Sequence, residues 1–420
     1  MTVIRPTRAV IMASGRGERL RPITYNWPKP LITICNKAPI VQTVEQAIHT
    51  AGVKDFYFKT RYQAGLIQYS LGHGDKFGAE VNFHYVVERR GVDTAGGTKE
   101  IVSFFNFPKT EPFWVLSGDI FSPETELGKI AYAHQIAAEK FKALATIGFK
   151  LMPVRALLNR FGVAVVNKDN LVERFAEKPR TTEEAKKILE EITHPGIKAL
   201  NEKTENIDDM ILPINASFYL LEGNFFDEVP QTKELGWDFG KDVFPSEKLR
   251  NRINAVLLDT PWWDVGTPED YWRAQWYFYK LSLSSIPGQF IKDWGHIGQR
   301  VNLDAQTKAN MNDSVIGNGA TIKNCILDHA IIGEGSHLED VEIKWSVVLP
   351  WTYVNLRPCS EKISKINYSI IGGSPIGGGF IDPQSTGLKE IEDKVVIPDD
   401  RRVISPLSLN LTPKQKEEAK

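Results

Sequence analysis

The feature that most constrains the fold of this 420-residue sequence is an internal repeat. The segments SVIGNGATI (314–322), AIIGEGSHL (330–338) and SVVLPWTYV (346–354) begin 16 residues apart, and SIIGGSPI (369–376) begins 23 residues after the third. Small and aliphatic residues before a Gly-x-Gly, with another aliphatic residue further along, are typical of hexapeptide repeats, in which aliphatic side chains stack inward and glycines allow tight corners. The pattern predicts a left-handed parallel β-helix. The alternative is a chance recurrence of glycine-rich strands in a β-sandwich.

The first half of the chain alternates between two periodicities. Strand-like runs are AVIMA (9–13), DFYFK (55–59), VNFHYVV (81–87), FWVL (113–116) and ALATIGF (143–149), and helical spacing is found over 40–51, 94–105 and 124–139. This β-α-β order predicts an α/β domain with a Rossmann-like, mostly parallel sheet and helices on both faces. Ligands of such sheets bind beyond the carboxyl ends of the strands.

Bulk composition excludes several classes of protein. Apolar residues make up 42% of the chain and charged residues 25%, and the formal net charge of −1 gives no attraction to nucleic acid or to anionic lipid. No apolar window is long enough to cross a membrane, and no signal peptide is evident. The three cysteines are scattered, without the spacing of disulfide or thiolate-zinc sites. These features predict a cytoplasmic protein with no nucleic-acid or membrane partner.

The loop ASGRGERLRPITYNWPKPL (13–31) follows the first predicted strand and combines glycines, cations and prolines. Backbone N–H groups beside Gly15 and Gly17 can converge on an anion, while Arg19 and Lys29 offer fixed positive charges. The loop therefore suggests a phosphate site. It lacks the G-x-x-x-x-G-K-[ST] pattern and the third glycine of the dinucleotide fingerprint, so on residue types alone a solvated surface turn is equally compatible.

The same loop resembles the signature of the sugar-1-phosphate nucleotidylyltransferases, roughly G-G-x-G-T-R-L-x-P-L-T-x-x-x-P-K-P-L. It departs at Ser14, where a second glycine is usual, and at Glu18, where threonine is usual. Further motifs of the family follow in order: DTAGG (93–97), LSGD (116–119), RFGV (160–163), FAEKP (175–179), INAS (214–217) and WWDVGTPEDY (262–271). Asp93 replaces a glycine that the family usually has. The layout, with hexapeptide repeats after this region, is similar to that of mannose-1-phosphate guanylyltransferase-like proteins.

The resemblance implies a role for each motif residue. Arg19, Lys29 and Lys178 would be catalytic. The nucleotide would contact Ala13, Ser14, Gly15, Gly17, Arg19, Lys29, Thr94, Ala95, Gly96 and Asp119, and the sugar phosphate would contact Gly162, Glu177, Lys178 and Asn215. Asp119 and Asp264 would bind Mg²⁺, the implied cofactor, because two carboxylates completed by phosphate oxygens and water suit that ion. Taken alone, these aspartates fit turn or cap residues better than metal ligands, and Glu177 and Lys178 fit a solvated charged turn better than a sugar-phosphate site; the series of motifs in the family's order favours the functional roles.

The implied reaction is nucleotidylyl transfer from a nucleoside triphosphate to a hexose 1-phosphate, giving an NDP-sugar and pyrophosphate. The layout favours GTP with mannose 1-phosphate, and UTP or dTTP with glucose 1-phosphate is the alternative. A catalytically silent regulatory paralogue is the rival from another class. We expect a catalytic domain over 1–282, a linker over 283–297, the β-helix over 298–380 and a C-terminal extension over 381–420. The β-helix would mediate homo-oligomerisation.

Overall fold

The computed structural model describes residues 6–88, 91–125, 127–281, 286–355 and 364–372, and beyond them 379–381, 390–392, 394–396, 398–399, 402–403, 407–409 and 411–419. The chain forms two compact units. Unit 1 comprises residues 1–14 and 40–262, and unit 2 comprises residues 15–39 and 263–420. Residues 283–285 of the predicted linker and part of the predicted C-terminal extension lie outside the described residues. The predicted domain boundaries therefore remain predictions.

Unit 1 is built on one large mixed sheet. Its strands, with the short β5 outside the sheet, are β1 (Arg8–Ala13), β2 (Asp55–Thr60), β3 (Asn82–Val87), β4 (Phe113–Ser117), β5 (Ile120–Phe121), β6 (Ala145–Pro153), β7 (Val163–Val166), β8 (Val172–Ala176), β9 (Ile211–Leu221) and β10 (Ile253–Leu258). Their order across the sheet is β10-β6-β9-β4-β1-β2-β3, with β7 also paired to β9 and β8 paired to β7. Strands β4, β1, β2 and β3 are parallel, and β9 is antiparallel to both β4 and β6.

Helices connect these strands, as the alternating pattern predicts. Those of unit 1 are Pro39–Gln46, Ala64–Leu71, Asp93–Phe104, Leu127–Phe141, Val154–Leu157, Thr182–Glu191, Pro195–Asn201 and Phe225–Glu228, with π-helical turns at Ala47–Ala51 and Phe239–Val243 and 3₁₀ turns at Asp75–Phe77, Ile207–Asp209 and Glu247–Leu249. The central strands are apolar on both faces, and Phe56, Phe58 and Trp114 are fully buried. A sheet covered on both sides requires such continuous apolar runs. The α/β prediction for this region is confirmed.

The segment between the FAEKP and INAS motifs forms two helices that pack at one end of β7. Thr181 caps the first helix by accepting the N–H of Glu184 at 3.2 Å. The N–H groups of Thr193 and His194 both donate to the carbonyl of Val166, the last residue of β7. Gly162 lies at the opposite end of that strand. The junction between the two helices is therefore anchored about four residues of strand, or roughly 13 Å, from Gly162, whereas the first helix begins at Thr182, four residues after Lys178.

Parallel strands dominate the second half of unit 2. One ladder runs through Asn302–Leu303, Thr321–Lys323, His337–Glu339, Thr352–Asn355 and Gly379–Ile381, and the other includes Gly295–Ile297, Ser314–Ile316, Ile326–Ile332, Val341–Val348, Ile370–Ile371 and Lys394–Val396. Val315 pairs with Ile331, which aligns with Val347 in the next strand. Equivalent residues of the first three repeat copies are therefore paired with one another, as the 16-residue spacing predicts. Part of the fourth copy, residues 373–378, lies outside the described residues.

Residues with left-handed backbone, which we call corners, also recur at the spacing of the sequence repeat. Positive φ angles are found at Asp313, His329, Trp345 and Tyr368, at Gly319, Gly335 and Trp351, and at Asn324 and Asp340. Most of these corner residues are not glycine, although left-handed backbone favours glycine. Between the corners, aliphatic side chains such as Ile322, Leu338 and Val354 are fully buried one above the next. The fold of this region is consequently a stack of segments, with partners 16 residues apart from Thr321 to Asn355 and longer steps before and after, which we call the repeat region (302–381).

The remainder of unit 2 packs against the repeat region through aromatic contacts. Its helices are Ile23–Asn26, Pro268–Lys280, Ala305–Ala309 and Pro413–Ala419, with 3₁₀ turns at Glu18–Leu20 and Lys29–Leu31, and its further strands are Trp263–Asp264, Gln289–Ile291, Met311–Asn312, Ser364–Asn367, Glu390–Glu392, Pro398–Asp399, Arg402–Val403 and Leu407–Ser408. Trp272 donates its indole N–H to the carbonyl of Trp345 at 2.9 Å, and Trp345 stacks on His329 with ring centroids 4.0 Å apart. The helix Pro268–Lys280 therefore contacts the row of corner residues that includes His329 and Trp345.

Candidate functional site

Polar residues gather where the parallel strands of unit 1 end. Ser14 follows β1, Lys59 lies one residue before the end of β2, Glu88 follows β3, and Asp119 lies two residues beyond β4. Because these four strands are adjacent and parallel, their carboxyl ends lie on one edge of the sheet. This is the edge at which open α/β sheets bind ligands.

Asp119 is held in a short turn at this edge. Ser117 donates its hydroxyl to Asp119 Oδ1 at 2.5 Å, and the N–H of Gly118 donates to the carbonyl of Met12 at 2.9 Å. Gly118 has no room for a side chain, since an added Cβ would lie 3.3 Å from Ile11 and from Ile40. The turn therefore presents a half-buried carboxylate close to the end of β1. Ala13, the last residue of β1, is buried and pairs with Thr60.

The predicted nucleotide-binding residues 94–96 begin the helix Asp93–Phe104 and contact the turn 237–240. Thr94 donates its hydroxyl to Asp238 Oδ2 at 2.8 Å, and the N–H groups of Ala95 and Gly96 donate to the carbonyl of Trp237 at 3.1 and 3.0 Å. Asp93, where the family usually has glycine, has a φ of 54°. Left-handed backbone explains the usual glycine, and aspartate is one of the few other residues that tolerates it.

The predicted sugar contacts of unit 1 come together. The N–H of Asn215 donates to the carbonyl of Gly162 at 2.8 Å, which joins β9 to the start of β7. A Cβ at Gly162 would lie 2.7 Å from Glu177 Oε2, and a Cβ at Gly240 would lie 2.6 Å from the same oxygen. The Glu177 carboxylate therefore occupies space that two glycines leave open. Lys178 follows with a φ of 52°, and its Nζ lies 3.2 Å from Glu177 Oε1.

Three further residues at this place were missed by the sequence-based prediction: Tyr219, Asp238 and Gly240. The Asn215 side-chain amide donates to the Tyr219 hydroxyl at 2.9 Å, and burial raises the pKa of Tyr219 well above its ordinary value, so that the phenol stays neutral. Asp238 accepts the N–H groups of Gly240 and Lys241 and caps the turn there. No family motif covers the turn 237–240. The only sequence signal was its composition, Trp-Asp-Phe-Gly.

In unit 2 the glycine-rich loop has a defined shape. Gly17 has a φ of 62°, and its carbonyl accepts the Thr24 hydroxyl at 2.9 Å and the N–H of Leu20 at 2.9 Å. A Cβ at Gly17 would lie 2.9 Å from Thr24 Cγ2, so both the left-handed backbone and the close approach require glycine. Gly15 is exposed, and an added Cβ would meet nothing within 4 Å.

The cations of this loop separate into two groups. Arg19 lies beside Gly266, where an added Cβ would be 3.5 Å from Arg19 Nη1 and 3.1 Å from Asp270 Oδ2. Glu18, the unusual acidic residue, lies 3.3 Å from Arg21 and 3.8 Å from Arg16. Its negative charge is thus offset by two neighbouring guanidinium groups.

Lys29 and Asp264 form an ion pair that the sequence-based prediction did not foresee. Lys29 Nζ donates to Asp264 Oδ1 at 2.6 Å, and the side chains are only 12% and 15% exposed. Further along, the Tyr271 hydroxyl and the Gln275 amide both donate to the carbonyl of Thr33 at 2.9 Å. The glycine-rich loop and the WWDVGTPEDY segment, more than 230 residues apart, are therefore one assembly.

Carboxylate oxygens are suitable ligands for Mg²⁺. The two predicted ligands are Asp119 in unit 1 and Asp264 in unit 2. Asp119 accepts a hydroxyl and Asp264 an ammonium, each on one carboxylate oxygen. Within the ranges that the structure describes, no group of three or more His, Cys, Asp or Glu side chains is arranged to hold a metal ion. Mg²⁺ does not require such a group, since it is commonly bound by one or two carboxylates together with substrate phosphates and water.

Comparison with known proteins identifies the family. The family model described as "Nucleotidyl transferase" matches residues 8–279, well over half of the chain. The chain belongs to this family. The resemblance to the sugar-1-phosphate nucleotidylyltransferases is confirmed at this level.

Curated relatives of the chain carry several different substrate names. It is 30% identical to a UTP–glucose-1-phosphate uridylyltransferase of Synechocystis, over 64% of this chain and 62% of that protein. It is 25% identical to a mannose-1-phosphate guanylyltransferase of Mycobacterium tuberculosis, over 79% and 81%, and 26% identical to a glucose-1-phosphate adenylyltransferase of Desulfitobacterium hafniense, over 81% and 82%. The match thus spans less than two thirds of the first of these relatives.

A search of the described helices finds none that is both long enough and apolar enough to span a membrane.

Proposed function

We propose that this protein transfers a nucleotidyl group from a nucleoside triphosphate to a hexose 1-phosphate and releases pyrophosphate. The observation that carries the proposal is the convergence of Gly162, Glu177 and Asn215 beside the turn 237–240, which also contacts Thr94. Residues assigned separately to sugar and to nucleotide are thereby joined through one turn within unit 1. Relatives with the printed names of uridylyl-, guanylyl- and adenylyltransferases support the same reaction class.

The reaction needs no side chain to act as a general base. The second pKa of a phosphate monoester is about 6, so the sugar phosphate already carries an anionic oxygen at neutral pH. That oxygen attacks the α-phosphorus of the nucleotide in line with the departing pyrophosphate. Catalysis is then a matter of positioning the two substrates and offsetting their charge.

Each site residue has a proposed part in this step. Glu177, held against Gly162 and Gly240, accepts hydrogen bonds from sugar hydroxyls, and half-exposed Lys178 aligns the attacking phosphate. Arg19 and the glycine-loop amides hold the β- and γ-phosphates, and Lys29 offsets charge at the α-phosphate. Asp119 and Asp264 are the proposed Mg²⁺ ligands. Mg²⁺, when bound, neutralises phosphate charge and orients the oxygens.

For the substrates we propose GTP and mannose 1-phosphate, with UTP or dTTP and glucose 1-phosphate as the alternative. The layout of the chain and the match over 81% of the mycobacterial guanylyltransferase support the first choice. The Desulfitobacterium relative is matched over a similar length, so ATP belongs in the test as well.

The decisive experiment measures pyrophosphate release with ATP, GTP, CTP, UTP and dTTP, each against mannose 1-phosphate and glucose 1-phosphate. We expect one pair to be turned over at least tenfold faster than the others, and EDTA to abolish the reaction. The matched control is Asp119→Asn, which removes a proposed metal ligand. A folded wild-type protein that is inactive with every pair would overturn the proposal and favour the regulatory paralogue.

Three further expectations remain proposals. We propose that the repeat region is a left-handed parallel β-helix, because its ladders are parallel and its central strands and corners recur every sixteen residues. We also propose that this region mediates homo-oligomerisation and that the protein is cytoplasmic. Light scattering of the full chain and of a variant lacking residues 286–420 tests the oligomer, since only the full chain should exceed the monomer mass.

A further inference from the structure

An ion pair almost fully shielded from water lies at the carboxyl ends of β2 and β3. Lys59 Nζ is 3.1 Å from Glu88 Oε2, and each side chain is only 5% exposed. Neither residue belongs to a family motif quoted above. Burying two charges costs desolvation energy, which is recovered only when further hydrogen bonds satisfy both groups. The other contacts of the pair therefore show what it does.

Both members of the pair hold the backbone that leads into the helix 93–104. Lys59 Nζ donates to the carbonyl of Asp93, and Glu88 Oε1 accepts the N–H of Val92 at 2.9 Å. An apolar pair of the same size would fill the space but could not make these bonds. The left-handed conformation of Asp93, directly before Thr94, is thus fixed from both sides.

Gly97, in the helix Asp93–Phe104, is a second observation that the fold leaves space for the buried Lys59 side chain. A Cβ at Gly97 would lie 2.0 Å from Lys59 Cε and 2.6 Å from Nζ. Glycine inside a helix costs about 1 kcal/mol relative to alanine. The chain carries that cost at a helical position against which the lysine side chain lies.

The backbone of Lys59 reaches the other predicted nucleotide segment of unit 1. Ser14 donates its hydroxyl to the Lys59 carbonyl at 3.2 Å, and the N–H of Glu88 donates to the carbonyl of Thr60 at 2.8 Å. One residue therefore contacts both the end of β1 and the start of the helix 93–104.

We propose that Lys59 and Glu88 are positioning residues for the nucleotide, which hold the turn 91–96 in the conformation that receives the triphosphate substrate. The inference rests on the proposed function, and it assigns these residues to the nucleotide and not to the sugar phosphate. Losing the pair therefore weakens nucleotide binding selectively.

The test compares Lys59→Met with Lys54→Met. Lys54 also pairs with a glutamate, Glu80, and these residues precede β2 and β3, but the side chains are 53% and 76% exposed. Breaking a buried pair has a large effect and breaking an exposed one a small effect. For Lys59→Met we expect the KM for the nucleotide to rise about tenfold or more, with the KM for the sugar 1-phosphate within about twofold of wild type. Lys54→Met should leave both unchanged.

A second variant keeps the test valid if Lys59→Met does not fold. Lys59→Met/Glu88→Leu removes both buried charges, which proteins often tolerate without loss of stability. We expect its Tm to recover while the nucleotide KM stays high. A normal nucleotide KM in either folded variant, or equal rises in both KM values, would overturn the inference.

Calorimetric titration of the same variants with nucleotide alone separates this inference from the proposed function. Wild-type protein that binds a nucleotide but turns over no sugar 1-phosphate contradicts the proposed function only, and the Kd values then test the positioning role. Wild-type protein that binds no nucleotide contradicts the positioning role itself.

Discussion

The repeat region of unit 2 and the strand ends of unit 1 satisfy their buried polar groups in different ways. In the repeat region the Ser314, Ser346 and Ser369 hydroxyls each donate to the carbonyl two residues before them and accept an N–H from the following strand. At the strand ends of unit 1, by contrast, charged groups bond to residues from distant segments, as Lys59 does with Glu88 and Asp93. Repeated local bonds make a stable scaffold, whereas long-range bonds between charged groups shape a binding surface. Substitutions in the two regions should therefore affect different measurements.

The largest effect is expected at the edge of unit 1. Asp119→Asn removes a proposed Mg²⁺ ligand, and we expect turnover in a Mg²⁺-dependent pyrophosphate-release assay to fall on the order of a thousandfold. The Tm should change little, because Ser117 can still donate to the amide oxygen. Asp75→Asn, in an exposed turn of the same unit, is the control. Near-normal turnover would refute the metal assignment.

A substitution in the core of the repeat region should lower the Tm and leave substrate binding unchanged, the opposite of the result expected for Asp119→Asn. Leu338 is fully buried between Ile322 and Val354, so Leu338→Ala leaves a cavity and should destabilise unit 2 by about 2–5 kcal/mol. The lower Tm is measured by calorimetry, with His337→Ala as the half-buried neighbour for comparison. Both KM values should stay at wild-type level in the protein that remains folded. A selective rise in one KM would break the contrast between the regions.

Gly162→Ala tests whether the proposed sugar site depends on the close approach of Glu177 to Gly162. The new methyl group would overlap Phe175 Cζ at 2.6 Å and Glu177 Oε2 at 2.7 Å, so the carboxylate must move. We expect the KM for the sugar 1-phosphate to rise about tenfold with the nucleotide KM nearly unchanged, since misplacing one charge-assisted hydrogen bond costs about 1.5–3 kcal/mol. Gly65→Ala, in a helix with nothing within 4 Å, should leave kinetics unchanged and slightly raise Tm.

The smallest effect concerns a cap in the repeat region. Asp304 accepts the N–H groups of Thr307 and Asn324, both at 2.8 Å, and hydrogen bonding, first from the Thr307 side chain and then from these N–H groups, holds its pKa below the ordinary value. A carboxylate with a lowered folded-state pKa stabilises the fold above the unfolded-state value of about 3.9 and loses that contribution as pH falls through the folded-state pKa. Asp304→Ala should cost about 1 kcal/mol at pH 7, and the difference should shrink as pH falls below the unfolded-state pKa and through the folded-state pKa. A pH-independent difference in denaturant titrations would exclude the ionised cap as the cause.

Sequence patterns predicted the elements of both regions well. Predicted strands at 9–13, 55–59, 81–87 and 113–116 correspond to Arg8–Ala13, Asp55–Thr60, Asn82–Val87 and Phe113–Ser117. The repeat was readable because one stack of side chains recurs every sixteen residues, so its register is stated in the sequence itself. Patterns of this kind report burial and local backbone shape.

Contacts between distant charged residues could not be predicted in the same way. The motif series indicated Lys29 and Asp264 separately, but not that they form an ion pair. Gly240, Tyr219 and Lys59 belong to none of the quoted motifs, and each acquires its role from a partner far along the chain. Glu18, which departs from the family signature, likewise pairs with two arginines, Arg16 and Arg21. Such pairings depend on the three-dimensional path of the chain.

The corner residues of the repeat region restrict how its length can change. Left-handed positions recur at Asp313, His329 and Trp345, and the same interval separates Gly319, Gly335 and Trp351. Adding or removing one residue inside a strand would turn buried aliphatic side chains toward solvent. Between strands the chain itself varies in length: Val347 pairs with Ile370, 23 residues further on, and Tyr368 still has the left-handed backbone found at Trp345. Insertions are therefore compatible with this region where one segment joins the next, and not within its strands.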